Sequence, residues 1–154
     1  MDIQSPDRGM KVTLMLADAA QVADGKLGVL GGGWCLIGPA PTPFAIAGII
    51  EVPWDQTNRN HSFRLDLIDL DGNPVTASGP GGDAPIMIEG EFEVGRPPGV
   101  RAGAYQPIPL ALNSGPIPLA PGSHFEWRFS IDGEAREDWR LAFSTRQEVQ
   151  AQAA

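Results

Sequence analysis

Along most of this chain, apolar and polar residues alternate with a period of two. In "SHFEWRFSIDG", Phe125, Trp127, Phe129 and Ile131 fall on one side and Glu126, Arg128 and Ser130 on the other, the pattern of a strand with one buried face. Asp132-Gly133 supplies a turn, and "DWRLAFS" repeats the pattern with Trp139, Leu141 and Phe143, so the two segments are expected to form an antiparallel hairpin, joined by a loose, charged connection from Asp132 to Asp138. "PIMIEGEFEV" sets Ile86, Ile88, Phe92 and Val94 against Glu89, Glu91 and Glu93, with Gly90 in register on the apolar side. "FAIAGIIEV", "HSFRLDLIDL", "KVTLMLADAAQV" and "AYQPIPLALN" add further strands, the last pushed towards a sheet edge by prolines that cannot donate to a ladder. The pattern predicts about eight short strands, with no helical stripe or helix cap among them. The expected fold is all-β: a two-layer antiparallel sandwich, immunoglobulin-like or C2-like in outline.

The 154 residues suit one domain able to bury about 70% of its unfolded surface. Nineteen glycines and fifteen prolines, without a collagen-like period, fit many turns. The longer loops are expected at 38–43, 53–60, 78–84 and 95–104, at the rims where sandwiches usually bind. A net charge of −8 opposes binding to nucleic-acid phosphates and anionic membranes. The acids are spread rather than massed, which disfavours mimicry of DNA, and no apolar run is long enough to span a bilayer. With Cys35 the single cysteine there is no intrachain disulfide to form. The start "MDIQSPDRGMKVTLML" lacks the basic and apolar regions of a signal peptide, so a cytoplasmic location is expected.

Gly31, Gly32 and Gly33 interrupt an otherwise apolar, strand-like stretch. A phosphate loop of the G-x-x-x-x-G-K-[ST] type needs its lysine on the phosphates and its hydroxyl on magnesium, but Trp34 and Cys35 follow Gly33. The dinucleotide pattern G-x-G-x-x-G started at Gly31 ends on Leu36, and both motifs require a helix to open at the glycines. The glycines therefore read as a bulge or a close backbone approach beneath a bulky neighbour such as Trp34. A stretch without side chains can also admit a ligand or a partner's edge, so Gly31, Gly32, Gly33 and Trp34 are carried forward as a possible binding surface. Trp54, beside Pro53 at the start of a loop, is the tryptophan expected to be exposed and joins them. Trp127 and Trp139 are expected in the core.

"DLDGNP" resembles the opening of a calcium loop, yet the sixth and twelfth places of an EF-hand would be Pro74 and Pro80 instead of Gly and Glu. A looser calcium site could use Asp69, Asp71 and Asp83; the same residues also read as ordinary turn formers. His61 and His124 are the only histidines and are expected to face solvent. No nucleophile elbow or H-E-x-x-H motif accompanies them, and Cys35 reads as a small hydrophobe on an apolar strand. No catalytic residue, cofactor or metal is assigned, and the chain is expected to be non-enzymatic.

At "MKVTLMLADAAQVADGKLGVLGGGW", together with "GSHFEWRFSIDGEAREDWRLAFS", the chain resembles an uncharacterised bacterial family of about 150 residues, common in actinobacteria, over Met10 to Phe143. The resemblance implies a single β-sandwich domain, taken as 10–146, and a disordered extension over 1–9 with Met10 as the natural start; the tail "QEVQAQAA", 147–154, lacks an apolar face and is expected to be flexible. It carries no activity and gives no residue a role. The expected function is a protein-binding or assembly module, with a protein partner or self-association. A small-molecule or calcium-binding sandwich, or an enzyme of unrecognised type, stands as the alternative.

Overall fold

The structure, a computed structural model, describes residues 9–148. The expected extension and tail therefore lie outside the described residues, apart from Gly9, Gln147 and Glu148. The strands are β1 (Lys11–Ala17), β2 (Ala19–Ala23), β3 (Lys26–Leu30), β4 (Leu36–Ile37), β5 (Phe44–Val52), β6 (His61–Asp69), β7 (Thr76–Gly79), β8 (Gly82–Pro85), β9 (Met87–Phe92), β10 (Gln106–Ser114), β11 (His124–Ile131) and β12 (Glu134–Thr145), with one 3-10 turn at Trp54–Gln56. The chain is all-β, as the alternation predicts, with more strands than the eight or so expected.

Two sheets carry the domain, ordered β1-β5-β10 and β4-β12-β11-β6-β9. Their pairings are antiparallel with one exception: β4 runs parallel to the end of β12, where Leu36 and Ile37 pair with Ser144 and Thr145. The expected edge position of β10 holds, and its Pro107 and Pro109 lie in the ladder with β5. The inner faces of both sheets feed one core, in which Leu16, Ile46, Ile50 and Val52 from the smaller sheet meet Leu65, Leu67, Trp127 and Phe129 from the larger. Phe44 of β5 and Trp127 of β11 face each other with ring centroids 6.1 Å apart. Each such side chain contributes roughly 1.5–3 kcal/mol by leaving water, so this shared core dominates the stability of the domain.

The β11–β12 hairpin keeps the expected turn at Asp132-Gly133 and corrects the loose connection expected to run on to Asp138. Asp132 and Gly133, with φ of 50° and 81°, form a two-residue turn, and β12 pairs with β11 from Glu134 onward. Positive φ at both positions matches the twist of the flanking strands. The charged residues after the turn belong to the strand, and a register shift opposite Phe129 lets the ladder absorb them before Trp139 turns inward. Segment 78–84 is likewise a hairpin rather than a loop, since Ser78 and Asp83 pair within β7–β8. Most of its residues are exposed, which leaves no alternation to reveal it.

Asp18 ends β1, and the hairpin β2–β3 turns at Asp24 and Gly25 with φ of 52° and 69°. This ribbon folds over the outer face of the smaller sheet, where Ala17, Ala20, Ala45 and Ala47 form a second, small-residue cluster. Alanines at these positions let two backbones approach closely. Asn113 of β10 fastens the ribbon: its Oδ1 accepts the Ala20 N–H at 3.1 Å and its Nδ2 donates to the Ala20 carbonyl at 2.8 Å.

Candidate functional site

At the end of the domain where β5 begins and β12 finishes, the gap between the sheets is covered by two proline-rich connections, 38–43 and 115–121. A narrow apolar cleft remains there, with Trp34, Phe44, Ile117 and Trp127 among its walls and a free volume of about 30 Å³, enough for about two waters. Thr145 anchors one cover by donating to the Ala120 carbonyl at 2.6 Å while accepting the Ser123 N–H at 3.0 Å. Arg146 anchors the other, its Nη1 donating to the Gly38 carbonyl at 2.9 Å. The Nε1 atoms of Trp34 and Trp127 are buried and have no hydrogen-bond partner. An indole N–H can only donate, and leaving such a donor unmet costs about 1–3 kcal/mol.

The glycines bring Trp34 to this cleft. They follow β3 instead of lying within a strand, and an extended segment and β4, not a helix, come after them. Gly33 N–H donates to the Leu16 carbonyl at 2.7 Å, while Asp18 N–H reaches the carbonyls of Leu30 and Gly31 at 3.0 and 3.2 Å. Gly31 has φ +61° and its missing Cβ would collide with the Asp18 carboxylate; a Cβ on Gly32 would lie 2.7 Å from Val29 Cγ1. The expected close approach is thus present, against Asp18, Val29 and Met15 in place of Trp34. Gly31→Ala should cost about 1–2 kcal/mol, adding left-handed strain to the collision. Chemical denaturation checks this, and a change below about 0.5 kcal/mol, the size of a neutral surface substitution, would remove the backbone role.

Trp54 does not join Trp34. It follows the end of β5 and Phe44 begins it, so the length of a nine-residue strand separates the two sites. Nor is Trp54 freely exposed as expected. It is half-buried, Arg96 stacks its guanidinium 4.0 Å from the ring centroid, and the same side chain donates to the Trp54 carbonyl at 2.6 Å and to Thr57 Oγ1 at 2.7 Å.

The calcium candidates are engaged in turns. Asp69 Oδ1 accepts the N–H groups of Asp71 and Asn73, both at 2.9 Å, and Asp83 accepts from Ser78 Oγ at 3.0 Å in the separate β7–β8 ribbon. Among the described residues no three His, Cys, Asp or Glu side chains are grouped to hold a metal. Cys35 is exposed, not packed as a hydrophobe, because Trp34 takes the inward position beside it.

His61 corrects the solvent-facing expectation. It has the same parity as Phe63, Leu65 and Leu67, and is 3% exposed, stacked on Phe92 with centroids 5.2 Å apart. His124, with the opposite parity to Phe125, is exposed as expected. The Nδ1 of His61 lies 2.6 Å from Asp132 Oδ2 and its Nε2 lies 2.8 Å from the Gln56 carbonyl. Both nitrogens face acceptors within the fold, so the pair clamps the β11–β12 turn to the 3-10 turn and leaves no ring nitrogen to abstract a substrate proton. Burial alone would raise the Asp132 carboxyl, but hydrogen bonds from His61 and the Ser62 N–H, with the attraction of His61, hold it below its ordinary value. A depressed carboxyl stabilises the fold above its unfolded pKa of about 3.9, and this contribution disappears as pH falls through the folded value. Wild type should therefore lose more stability than Asp132→Asn between pH 5 and pH 2, as read by urea midpoints at each pH. Parallel curves would remove the carboxylate from the clamp.

The cleft and the 115–121 cover were not foreseen from sequence. The available signal was "PIPLAP", where Ile117 and Leu119 alternate with prolines in a segment unable to build a ladder. The model of a family of unknown function, DUF6941, matches residues 12–144, and the chain belongs to that family. No curated protein sequence matches it.

Proposed function

We propose that this member of the DUF6941 family is a non-catalytic protein-binding module, a sandwich of immunoglobulin-like or C2-like outline, whose β2–β3 ribbon receives an apolar surface of a partner chain. The observation that carries this reading is the exposure of Val22, Val29 and Leu30, with Leu30 at 70%. Three large apolar side chains are held in water on a ribbon that is itself pinned in place by Asn113. The edge strands β9 and β10 are protected by contrast. Glu89, Glu91 and Glu93 are exposed along and just beyond β9, and Pro107 and Pro109 interrupt β10, both devices that discourage edge pairing. Val22 and Val29 flank the ribbon face that packs on the alanines and Leu30 stands on the opposite face; exposed apolar side chains on a ribbon kept beside guarded edges suit docking better than strand addition.

An exposed free thiol at Cys35 supports a reducing, cytoplasmic setting, and no helix among the described residues is long and apolar enough to cross a membrane. The family's bacterial and actinobacterial character belongs to the same reading, supported by the richness in Gly and Pro. The negative charge of the chain supports a protein rather than a nucleic-acid partner.

The test compares wild type with the Val22→Lys, Leu30→Lys double variant in sedimentation velocity and in affinity capture from the native host. A partner, or a second copy, held by wild type and lost by an equally stable variant supports the proposal. Identical behaviour of the two proteins overturns it.

A further inference from the structure

We infer that the cleft between Trp34 and Trp127 binds a small neutral molecule, largely apolar, that presents a hydrogen-bond-accepting oxygen such as a ketone or ester carbonyl. This site is separate from the β2–β3 ribbon, and either proposal can fail without the other. Its walls are apolar, with Leu16, Ile37, Phe44, Leu119 and Phe143 among them. Against that background stand two buried donors, Trp34 Nε1 and Trp127 Nε1, with no partner in the protein, on side chains that both line the cleft. Trp127 is 1% exposed, and a tryptophan so buried usually finds an acceptor for its N–H. Because an indole donates and never accepts, the missing partner is an acceptor.

The remaining chemistry narrows the ligand. No Lys, Arg or His lines the cleft; the nearest cation, Arg146, already donates to Gly38 at its rim. A carboxylate would lose its hydration without gaining a counter-charge, so a neutral oxygen is favoured over an anion. The two threonine hydroxyls at the walls are also occupied, Thr145 by Ala120 and Ser123 and Thr42 by the Ala40 carbonyl at 3.0 Å. The free volume of about 30 Å³ is smaller than such a molecule, so the ligand displaces the 38–42 rim, whose prolines at 39 and 41 lack the N–H groups that would tie it to a strand.

The four tryptophans give four indole N–H resonances, which can be assigned in the ¹⁵N-labelled full chain with single Trp→Phe variants. Cyclohexanone, cyclohexane and hexanoate, at matched concentrations and pH 7, are the probes. Cyclohexanone should move the Trp34 and Trp127 resonances downfield and saturably while those of Trp54 and Trp139 stay in place. Cyclohexane should bind several-fold to about tenfold more weakly, the value of a hydrogen bond, and without the downfield displacement; hexanoate should not bind. Ile117→Trp, which fills the cleft from its half-buried rim, should abolish saturation while keeping the melting temperature. Tighter binding of hexanoate overturns the neutral-ligand assignment. Non-saturating movement of all four resonances, or none up to the solubility limit, means the cleft holds water only and overturns the site.

Discussion

Trp127→Ala should destabilise the domain by about 3–5 kcal/mol, the range for truncating a fully buried aromatic. Trp127 is 1% exposed at the meeting of the two sheets, against Phe44 of the opposite layer, so its removal opens a cavity walled from both sides. Trp127→Phe separates packing from polarity. It retains most of the ring and deletes the unpartnered N–H, and should therefore cost well under half as much as alanine. Urea denaturation of the two variants measures both values. A loss below about 1 kcal/mol in Trp127→Ala, typical of a position outside the core, would place the residue outside the shared core.

Gly48→Ala should be the second most damaging substitution, at about 2–3 kcal/mol. Gly48 sits in the middle of β5, the central strand of the smaller sheet, paired with Leu14 on one side and Leu110 on the other. A Cβ there would collide with the Thr13 carbonyl and lie 2.9 Å from Leu14 Cδ2 and 3.3 Å from Leu14 Cα. Two of those three atoms are backbone, and a strand held on both edges cannot move aside cheaply, which puts the cost at the upper part of the overpacking range. A melting temperature within a degree of wild type would mean that β1 and β5 are not packed in this register.

What could be read from sequence was whatever alternates. Phe125, Trp127, Phe129 and Ile131 fall on one face in the sequence and are buried in the structure, and the prolines of β10 marked its edge. His61 was legible by the same rule, since its odd position aligns it with Phe63, Leu65 and Leu67. Taking it to alternate with those residues, as His124 does with Phe125, sent it to solvent. The β7–β8 hairpin and the two-residue β4 carry no alternation, one because both its faces are largely wet and the other because it is too short. Their pairing is set by tertiary context.

The candidate site was half visible. Trp34 stood out beside the three glycines, but its relation to Trp127, ninety-three positions further along, exists only once β11 and β5 share a core. The exposure of Leu30 is a property of the ribbon folding over alanines, which no local pattern specifies. Asp69 and Asp71 carry a metal-like spacing that the backbone uses first, since Asp69 Oδ1 serves two N–H groups of its own turn.

All of these features depend on two sheets sharing one core that closes over the Trp34 cleft at one end. Nuclear Overhauser contacts from the Trp127 ring test that arrangement most directly. Cross-peaks from Trp127 to Phe44 and Leu16 of the smaller sheet, beside those to Leu67 and Leu141 of its own sheet, are the predicted result. Contacts confined to residues of the larger sheet would contradict the shared core and the cleft built upon it.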